Sequence, residues 1–376
     1  AGPGAGGVRM KRVLLVGAGH AHAALARRAV PQLVAAGAEV TLVAPGPFWY
    51  SGLATGMLGG GYASALDMID VGAVVVRGGG RFVRGMVTAL VPAERAVALS
   101  TGETLSYDLL SLDVGSVVRG DALPGALEYG VLAKPIERLA EVRSRLEAGF
   151  ARRDALRVCV VGDGATGVEL AAAVLSLARR CRGSVTVMLV GKEPRLAPGF
   201  PEAARDWLAA HLRSRGAELR LGVEAVAVVA AGVRLAGGEE IAADVTLVAT
   251  GLRPPAVLAE AGLPCDAEGA MIVDRSLRCP VYPEIFGAGD CIAFAARALP
   301  RVGVYAVRQA PVLAHNLLAA LRGAPLSDYE PQRAYLLVLN LGDGTGLAVR
   351  GQRWWYGRAA FRLKDWIDRR WLAAQR

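Results

Sequence analysis

Residues 158–170 of this chain read VCVVGDGATGVEL, and residues 13–22 read VLLVGAGHAH. Each stretch is a short apolar run, then a glycine turn, then an Ala/Leu-rich segment, which predicts a buried strand, a tight bend and a helix. In a dinucleotide-binding unit the glycines permit the bend and let the backbone approach a pyrophosphate, while the helix N-terminus supplies N–H groups. Two such units predict an α/β fold built from two Rossmann-like dinucleotide-binding domains.

The second turn matches the full G-x-G-x-x-G pattern, with Gly167 in the third glycine position. We therefore expect a nicotinamide dinucleotide on the residues that form this turn and begin its helix, namely Gly162, Gly164, Ala165 and Thr166. The next strand ends Val190-Gly191-Lys192-Glu193, without an acid at its tip. Lys192 could accept the 2′-phosphate of NADPH or remain a solvated loop residue, and Glu193 could bind the ribose of NADH. The choice between NADH and NADPH stays open.

The first turn departs from the pattern at two points. His22 stands in the third glycine position, and the following strand ends in Ala44-Pro45 where an acid would bind the ribose. We still expect a dinucleotide on the residues that line this turn or end this strand, namely Gly17, Ala18, Gly19, His20, Ala21, Ala44 and Pro45. His20 and His22 are expected to pack or cap at the helix start rather than to catalyse.

A third motif, Phe286-Gly287-Ala288-Gly289-Asp290, lies downstream of Ala249-Thr250-Gly251. Together they resemble the second flavin motif of the pyridine nucleotide–disulfide reductase superfamily and its upstream partner. In that motif the aspartate accepts hydrogen bonds from the ribityl chain of the flavin. The resemblance therefore implies cofactor contacts at Gly251, Gly289 and Asp290.

Further stretches sharpen the resemblance. The chain is similar to the branch of type II NADH dehydrogenases and sulfide:quinone reductases. Within it, the chain most resembles the NADH dehydrogenase-like flavoprotein module found alone or fused ahead of selenide, water dikinase. The stretches that carry the resemblance are residues 17–22, 50–53, 111–116, 134–136, 303–312 and 363–370. It implies FAD in the first domain and NADH or NADPH in the second.

The resemblance also assigns catalytic positions. In type II NADH dehydrogenases the glutamate of the G-x-T-G-V-E-L turn lies at the nicotinamide–flavin contact, and here that residue is Glu169. The same family has a quinone-side helix with the pattern A-Q-x-x-x-Q. Aligning its second glutamine with Gln309 places Tyr305 at the first, which departs from the pattern. Tyr305 lies one helical turn before Gln309 and could still present a polar group to the flavin edge.

Other flavin contacts are expected outside the glycine turns. Ser51 and Gly52 follow the first βαβ unit, and their small size would let the backbone approach the isoalloxazine. Lys134 either holds a charge beside the flavin or begins the linker to the next domain. The resemblance adds Val87, Asp113 and Gly115 to the expected cofactor contacts.

Composition narrows the function classes. With 53% hydrophobic residues and 47 glycines the chain is predicted to be globular, and no uncharged apolar run is long enough to predict a transmembrane helix. The net charge is +9, but no recognised nucleic-acid module is present, so we expect no nucleic-acid partner. The five cysteines form no C-x-x-C pair, which disfavours a metal cluster, a local redox disulfide and sulfur transfer. A reduced, cytoplasmic setting fits this pattern.

The C-terminal segment is basic and rich in tryptophan. Residues 350–376 carry eight Arg or Lys, two Asp and four of the six tryptophans. An apolar stripe at helical spacing predicts an amphipathic helix there. Its members are Leu363, Trp366, Ile367, Arg370 and Trp371. Such a helix could contact a membrane surface through residues 354–372, pack on the protein's own body, or form a homodimer.

We expect four segments along the chain. Residues 9–125 and 271–330 would form the FAD-binding domain, residues 126–270 the NAD(P)H-binding domain, and residues 331–376 an interface or membrane-contact region. The predicted protein is an FAD-dependent NAD(P)H dehydrogenase that passes two electrons to a quinone or another small acceptor. It would act in the cytoplasm or at the inner face of the cell membrane. An oxidoreductase of sulfide or selenium species and a low-turnover flavin redox sensor remain alternatives.

Overall fold

The structure is a computed structural model and describes residues 10–376. Arg9, the first residue of the predicted FAD-binding domain, lies outside the described residues. Two five-stranded parallel sheets, each containing a strand, a glycine turn and a helix in succession, form the centre of the molecule. The predicted α/β class with two Rossmann-like units is confirmed, whereas the domain boundaries stay a prediction.

Residues 10–118 build most of the first sheet. In chain order the elements are β1 (Lys11–Val16), α1 (His20–Ala35), β2 (Ala38–Ala44), β3 (Phe48–Trp49), α2 (Ser51–Leu58), β4 (Met68–Ile69), α3 (Val71–Arg77), β5 (Arg81–Arg84), β6 (Val87–Val91), β7 (Ala96–Leu99), β8 (Thr104–Ser106), β9 (Leu109–Leu112) and β10 (Val117–Val118). β1 pairs in parallel with β2 on one side and β9 on the other, and β5 extends the sheet beyond β2. The apolar end of β1, from Val13 to Val16, is buried because a central parallel strand is covered on both faces. β6, β7 and β8 form an antiparallel meander.

Residues 119–260 build the second sheet. The elements are α4 (Ala126–Tyr129), β11 (Val131–Leu132), α5 (Glu137–Ala151), β12 (Ala155–Val161), α6 (Ala165–Cys181), β13 (Ser184–Gly191), α7 (Glu202–Ser214), β14 (Ala217–Leu221), β15 (Ala225–Val229), β16 (Gly232–Leu235), β17 (Glu240–Ala242), β18 (Val245–Val248), β19 (Leu252–Arg253) and α8 (Val257–Glu260). The sheet has the order β11-β18-β12-β13-β14 with every pair parallel. α6 follows the second glycine turn and packs through buried Val168, Leu170 and Val174. β19 pairs with β10 and so joins the two units.

The chain then returns to the first sheet. The elements of this part are β20 (Met271–Val273), β21 (Ile285–Gly287), β22 (Ile292–Phe294) and α9 (Gly303–Arg322). β21 pairs in parallel with β9 and completes the order β21-β9-β1-β2-β5. Because the carboxyl ends of parallel strands meet at one edge, the motif at residues 286–290 lies beside the first glycine turn. α9 packs against α1 on one face of this sheet.

The C-terminal part adds an antiparallel sheet and a last helix. Its elements are β23 (Leu337–Asn340), β24 (Gly346–Arg350), β25 (Arg353–Gly357) and α10 (Arg358–Gln375). The predicted helix is present, but only part of its apolar stripe faces the body: Trp371 stacks on Tyr50, while Trp366 and Ile367 face outward. Asp368 and Leu372 are buried, whereas Trp366 and Ile367 are 58% and 39% exposed. Within residues 10–376, no helix combines the length and apolar composition that crossing a membrane requires.

Candidate active site

The first glycine turn brings β1 into direct backbone contact with the loop after β9. Gly17 has φ +89°, and a Cβ atom there would overlap the backbone carbonyl of Asp113. The Gly19 N–H donates to that same carbonyl oxygen at 3.1 Å, and the Gly17 N–H donates to the Val43 carbonyl at 2.9 Å. Only glycine allows this close approach, which explains why the turn needs both residues.

Asp113 and His22 hold the start of α1. The Asp113 Oδ2 accepts a hydrogen bond from the His22 N–H at 2.8 Å, and burial raises the pKa of this carboxyl to about 7. His22 is fully buried, with Nδ1 2.6 Å from the Gly17 carbonyl and Nε2 2.8 Å from the Ser111 hydroxyl. Burial lowers the pKa of His22 to about 4, so the ring is neutral and donates through Nδ1. His22 therefore packs between the turn and β9, as the sequence predicts.

Two polar side chains contact the aspartate of the third motif. The Asp290 Oδ2 accepts hydrogen bonds from the Ser116 hydroxyl at 2.7 Å and from the Lys134 ammonium at 3.3 Å. Burial opposes ionisation of Asp290, but Lys134 and Ser116 together hold its pKa below the usual value. The Lys134 ammonium therefore lies beside Asp290, while its predicted place beside the flavin stays a prediction.

Gln309 and Tyr305 lie on α9 in buried positions. The Gln309 Oε1 accepts a hydrogen bond from the Gly289 N–H at 2.8 Å, and Gly289 has φ +77°. Gln309 thus positions the turn that carries Asp290. Tyr305 is 6% exposed and meets the ring of Tyr335 edge-on at 5.6 Å. Their catalytic role at a quinone stays a prediction.

His20 begins α1 and lies among the expected flavin contacts. Its Nε2 is 3.4 Å from the Ser51 hydroxyl, and a Cβ atom on Gly303 would come within 3.0 Å of the same nitrogen. The ring of Phe48 lies edge-on at 4.8 Å. Burial, assisted by nearby Lys134, lowers the pKa of His20 to about 4 against the pull of Asp290. The imidazole is therefore neutral and packs at the helix start.

The remaining predicted contacts of the first unit lie at the carboxyl edge of its sheet. Ala44 ends β2 and is buried, and its carbonyl accepts the Gly85 N–H at 3.1 Å. The Pro45 carbonyl accepts a hydrogen bond from the Arg84 side chain at 3.1 Å. Val87 begins β6 close by, and Gly115 has φ +68° in the loop after β9. Their contact with a cofactor stays a prediction.

The second glycine turn has the shape that a dinucleotide requires. Gly162 has φ +133°, and a Cβ atom there would overlap the Ala249 carbonyl. A Cβ atom on Gly167 would overlap the Gly162 carbonyl, whereas one on Gly164 would meet open space. α6 begins without a side-chain cap and without an acid in its first turn. Its N–H groups are therefore available to a pyrophosphate at Gly164.

A cavity of about 120 Å³ joins the two units. Five predicted site residues line it, and they come from α2, the segment after β11, α6 and the segment after β18. These residues are Ser51, Lys134, Thr166, Glu169 and Gly251. Apolar side chains, Val118, Ile136 and Leu139 among them, supply most of the other walls. Residues far apart in sequence thus meet in one cavity between the two units.

Glu169 is held by the C-terminal part of the chain. Its Oε1 accepts a hydrogen bond from the Asn340 N–H of β23 at 2.6 Å. Burial raises the pKa of Glu169, while Lys364 of α10 and the Asn340 N–H act in the opposite direction. Asn340 and Lys364 are not among the site residues that the sequence predicts, although Lys364 lies in a stretch that carries the family resemblance.

Polar contacts dock α10 over this part of the site. The Lys364 ammonium donates to the Gly52 carbonyl at 2.6 Å and to Asp368 at 2.7 Å. The Tyr50 hydroxyl donates to Asp368 at 2.9 Å, and the rings of Tyr50 and Trp371 stack at 4.8 Å. Through these hydrogen bonds and the ring stacking, the inward face of α10 covers the Tyr50–Gly52 backbone.

Asp67 lies beneath α10 without a hydrogen-bonding partner for its side chain. It is fully buried, and neither carboxyl oxygen has such a partner among residues 10–376. Burial raises its pKa to about 8, with a further upward effect from Asp368 and an opposing one from Lys364. Asp67 is therefore protonated at neutral pH.

The described cysteines lie away from the cavity. Cys291 is fully buried, with Sγ 3.2 Å from the Ala288 carbonyl. Burial raises the pKa of Cys291 and raises that of Cys159 in β12 to about 12. Both thiols are therefore protonated, and no cysteine lines the cavity within the part of the chain that the structure describes.

Residues 11–316 match the pyridine nucleotide-disulphide oxidoreductase family. The chain belongs to this family. An NADH dehydrogenase-like protein of Mycobacterium tuberculosis is 33% identical over 233 residues, covering 60% of this chain and 58% of that protein. The match thus spans less than two thirds of that relative. A type II NADH:quinone oxidoreductase of Staphylococcus saprophyticus is 25% identical over 386 residues, covering 96% and 94%.

A solved structure has the same fold over 98% of this chain. NDH2 of Plasmodium falciparum, in complex with NADH, has a TM-score of 0.81 at 13% identity and covers 98% of this chain and 97% of its own. At that identity the likeness concerns the fold. Membership of the pyridine nucleotide-disulphide oxidoreductase family supports the FAD and the nicotinamide dinucleotide that the sequence predicts.

Proposed function

We propose that this family member is an NAD(P)H dehydrogenase that passes two electrons through FAD to a quinone-like acceptor. The shared cavity carries the proposal, because Thr166 and Glu169 of the second unit lie there with Ser51 and Lys134 of the first. FAD bound there would supply the redox chemistry, as an acceptor of hydride from a nicotinamide. The similarity to an NADH dehydrogenase-like protein and to a type II NADH:quinone oxidoreductase supports the same activity.

Residues of the first unit would bind and orient the flavin. The Asp290 carboxylate, kept ionised by Lys134 and Ser116, would accept hydrogen bonds from hydroxyl groups of the cofactor. α9 begins at Gly303 without an acid in its first turn. Its N–H groups therefore favour negative charge nearby, which a reduced flavin carries.

Glu169 would hold a proton at the cavity. The Asn340 N–H fixes its carboxyl, and Lys364 lies close enough to favour the ionised form against the effect of burial. A carboxyl with a raised proton affinity can donate to an acceptor that takes up two electrons and then needs protons. Lys364 would in turn compensate the charge left on Glu169.

We propose that the acceptor is reached at a membrane surface, contacted by residues 354–372 at the inner face of the cell membrane. Trp366 and Ile367 project from α10, and Trp355 and Tyr356 on β25 are 39% and 56% exposed. Aromatic and apolar side chains flanked by arginines suit the boundary of an anionic bilayer.

Vesicle sedimentation tests the membrane contact. Wild-type protein should sediment with anionic phospholipid vesicles, and the double variant Trp366→Ser/Ile367→Ser should not. Val281→Ser, a change at a side chain 62% exposed outside this segment, is the matched control and should still sediment. A stable homodimer that buries Trp366 and Ile367 and ignores vesicles would contradict the proposal.

The sulfide and selenium alternatives have less support. Cys159 and Cys291 are buried, hold their protons and lie outside the cavity wall, so neither is poised to carry sulfur beside a flavin. A redox sensor with little turnover differs from the proposal only in rate. One anaerobic experiment therefore separates all three.

Anaerobic mixing of the purified protein with NADH, NADPH or sulfide is that experiment. The proposal expects rapid loss of the oxidised-flavin absorbance with one of the nicotinamides, and its return when a short-chain quinone is added. Loss of absorbance with sulfide alone would favour the sulfur alternative. No reaction with any donor would favour the sensor and contradict the proposed activity.

A further inference from the structure

The second strand of the nicotinamide unit ends in a residue that has no side chain. β13 ends at Gly191, between β12 and β14 in the second sheet. In a Rossmann unit an acidic residue at this strand end binds the hydroxyls of the adenosine ribose, outside the carboxyl ends of the strands. Gly191 leaves that space to a neighbouring side chain.

Asp163 occupies the space. It stands between Gly162 and Gly164 in the glycine turn, and a Cβ atom on Gly191 would lie 2.5 Å from the Asp163 Cβ and 2.7 Å from its Oδ2. The Oδ2 accepts a hydrogen bond from the Glu193 N–H at 2.8 Å. The Asp163 carbonyl accepts another from the Ala197 N–H at 2.7 Å. The loop after β13 thus holds the Asp163 carboxylate against Gly191, the last residue of β13.

The neighbouring charges do not offset Asp163. The Lys192 ammonium lies 3.0 Å from the Glu224 carboxylate, so this pair is neutral, and both side chains are more than half exposed. Glu193 adds a second carboxylate to the same loop. The strand end is negative on balance, and a 2′-phosphate placed there would meet like charge.

We propose that Asp163 selects NADH over NADPH. Its Oδ1 would accept a hydrogen bond from a ribose hydroxyl of the adenosine, and its charge would repel a 2′-phosphate. The inference rests on the nicotinamide binding proposed above and adds the residue that reads the ribose. It places the discriminating acid inside the glycine turn instead of at the strand tip.

Calorimetric binding of ADP-ribose and of its 2′-phosphorylated form to the flavin-loaded protein tests the inference. Both probes lack the nicotinamide ring and cannot reduce the flavin, so the readout is independent of turnover. The wild type should prefer ADP-ribose by about tenfold or more, because the 2′-phosphate of the other probe would lie against the Asp163 carboxylate. Asp163→Asn keeps an acceptor for the Glu193 N–H but removes the charge. It should bind the phosphorylated probe about tenfold more tightly than the wild type does.

Three variants complete the test. Asp163→Ser replaces the carboxylate with a smaller side chain and should also lose the preference for ADP-ribose. Agreement between the two variants would show that the loss does not come from asparagine itself. Glu193→Gln and Lys192→Met are matched controls in the same loop and should keep the preference. Thermal melting of each variant should stay near that of the wild type.

Each contrary outcome points to a different error. If Asp163→Asn and Asp163→Ser keep the wild-type preference, or if Glu193→Gln loses it, the assignment to Asp163 is overturned. Equal binding of the two probes by the wild type overturns it as well. If the wild type binds neither probe, the nicotinamide function on which the inference rests fails with it.

Discussion

The Glu169 carboxyl on α6 accepts a hydrogen bond from the Asn340 N–H of β23. The Lys364 ammonium of α10 favours the ionised form of the same carboxyl. Glu169→Gln keeps the shape and the Asn340 hydrogen bond but removes the proton that the site can donate. FAD should stay bound, while quinone turnover should fall by about 100-fold, the lower end of the range for a general acid–base group. Stopped-flow and steady-state kinetics measure the two half-reactions separately.

A matched change makes the Glu169 result specific. Glu39→Gln alters an exposed glutamate on β2 and should leave both half-reactions unchanged. Because burial raises the pKa of Glu169, wild-type turnover should decline as pH rises through that value, and Glu169→Gln should lack this decline. Wild-type kinetics in Glu169→Gln would remove the residue from the reaction.

Asp67 makes stability depend on pH. Its pKa is about 8 in the folded protein, against an ordinary value of 3.8. Between these two values the folded state binds more protons than the unfolded state, so the free energy of unfolding falls as pH rises through that window. Asp67→Asn mimics the protonated form and should be more stable than the wild type at about pH 9, by about 1–3 kcal/mol.

Denaturant unfolding at about pH 5 and about pH 9 checks the prediction for Asp67. Asp67→Asn should flatten the pH dependence that the wild type shows. Asp328→Asn, a change at an exposed position, controls for the loss of one negative charge and should keep it. An identical slope in Asp67→Asn and the wild type would mean that Asp67 finds a partner when it ionises.

Individual residues are predictable from the sequence where the backbone of a short motif constrains them. Gly17 and Gly162 are predictable because positive φ and a close backbone approach demand glycine at fixed positions of a short motif. The Asn340 N–H on Glu169 and the Asp163 carboxylate over Gly191 are not predictable in this way. Both arise from contacts between segments that meet only after the sheets have formed.

At the scale of elements, α10 depends on Lys364. This side chain is 12% exposed and is the cation next to Asp368, which is 7% exposed, while its second hydrogen bond reaches the Gly52 carbonyl. Lys364→Met leaves Asp368 with only the Tyr50 hydroxyl. Stability should fall by about 1–3 kcal/mol, somewhat less than for breaking a fully buried pair. FAD should also be lost more readily, because the Tyr50–Gly52 backbone loses its cover.

Unfolding and FAD-release measurements on two variants test the role of α10. Arg362→Met removes an exposed cation from the same helix and should change neither quantity. Equal stability of Lys364→Met and the wild type would show that α10 is held by its apolar contacts, chiefly Leu372 and Trp371.

Helical periodicity predicted α10 but not its orientation. Trp366 and Ile367 of the stripe face outward, although their spacing is that of a core-facing surface. Trp371 at the end of the stripe instead packs on Tyr50, and Lys364 and Asp368 also face the body. A hydrophobic pattern identifies an amphipathic helix without saying what covers the apolar side. The polar partners, Tyr50 among them, lie more than 300 positions away in the sequence and give no local signal.

At the scale of the whole molecule, the two parallel sheets explain why the site lies where it does. Each sheet presents its glycine turn at the carboxyl ends of its strands, and β10–β19 pairing joins the units. The cavity that contains Lys134 and Glu169 lies at this junction. The duplicated motif predicts the two sheets well. It does not predict how closely they approach, because that distance depends on the packing of α2, α5 and α6.

The central claim is that a nicotinamide held by the second unit reaches the flavin held by the first. Anaerobic stopped-flow reduction with NADH and with NADH deuterated at C4 tests it most directly. We expect a yellow protein whose flavin absorbance is lost on mixing. The loss should be slower with the deuterated donor, because the C4–hydrogen bond of the nicotinamide breaks in that step. A colourless protein that takes up no FAD, or a flavin that neither nicotinamide reduces, would contradict it.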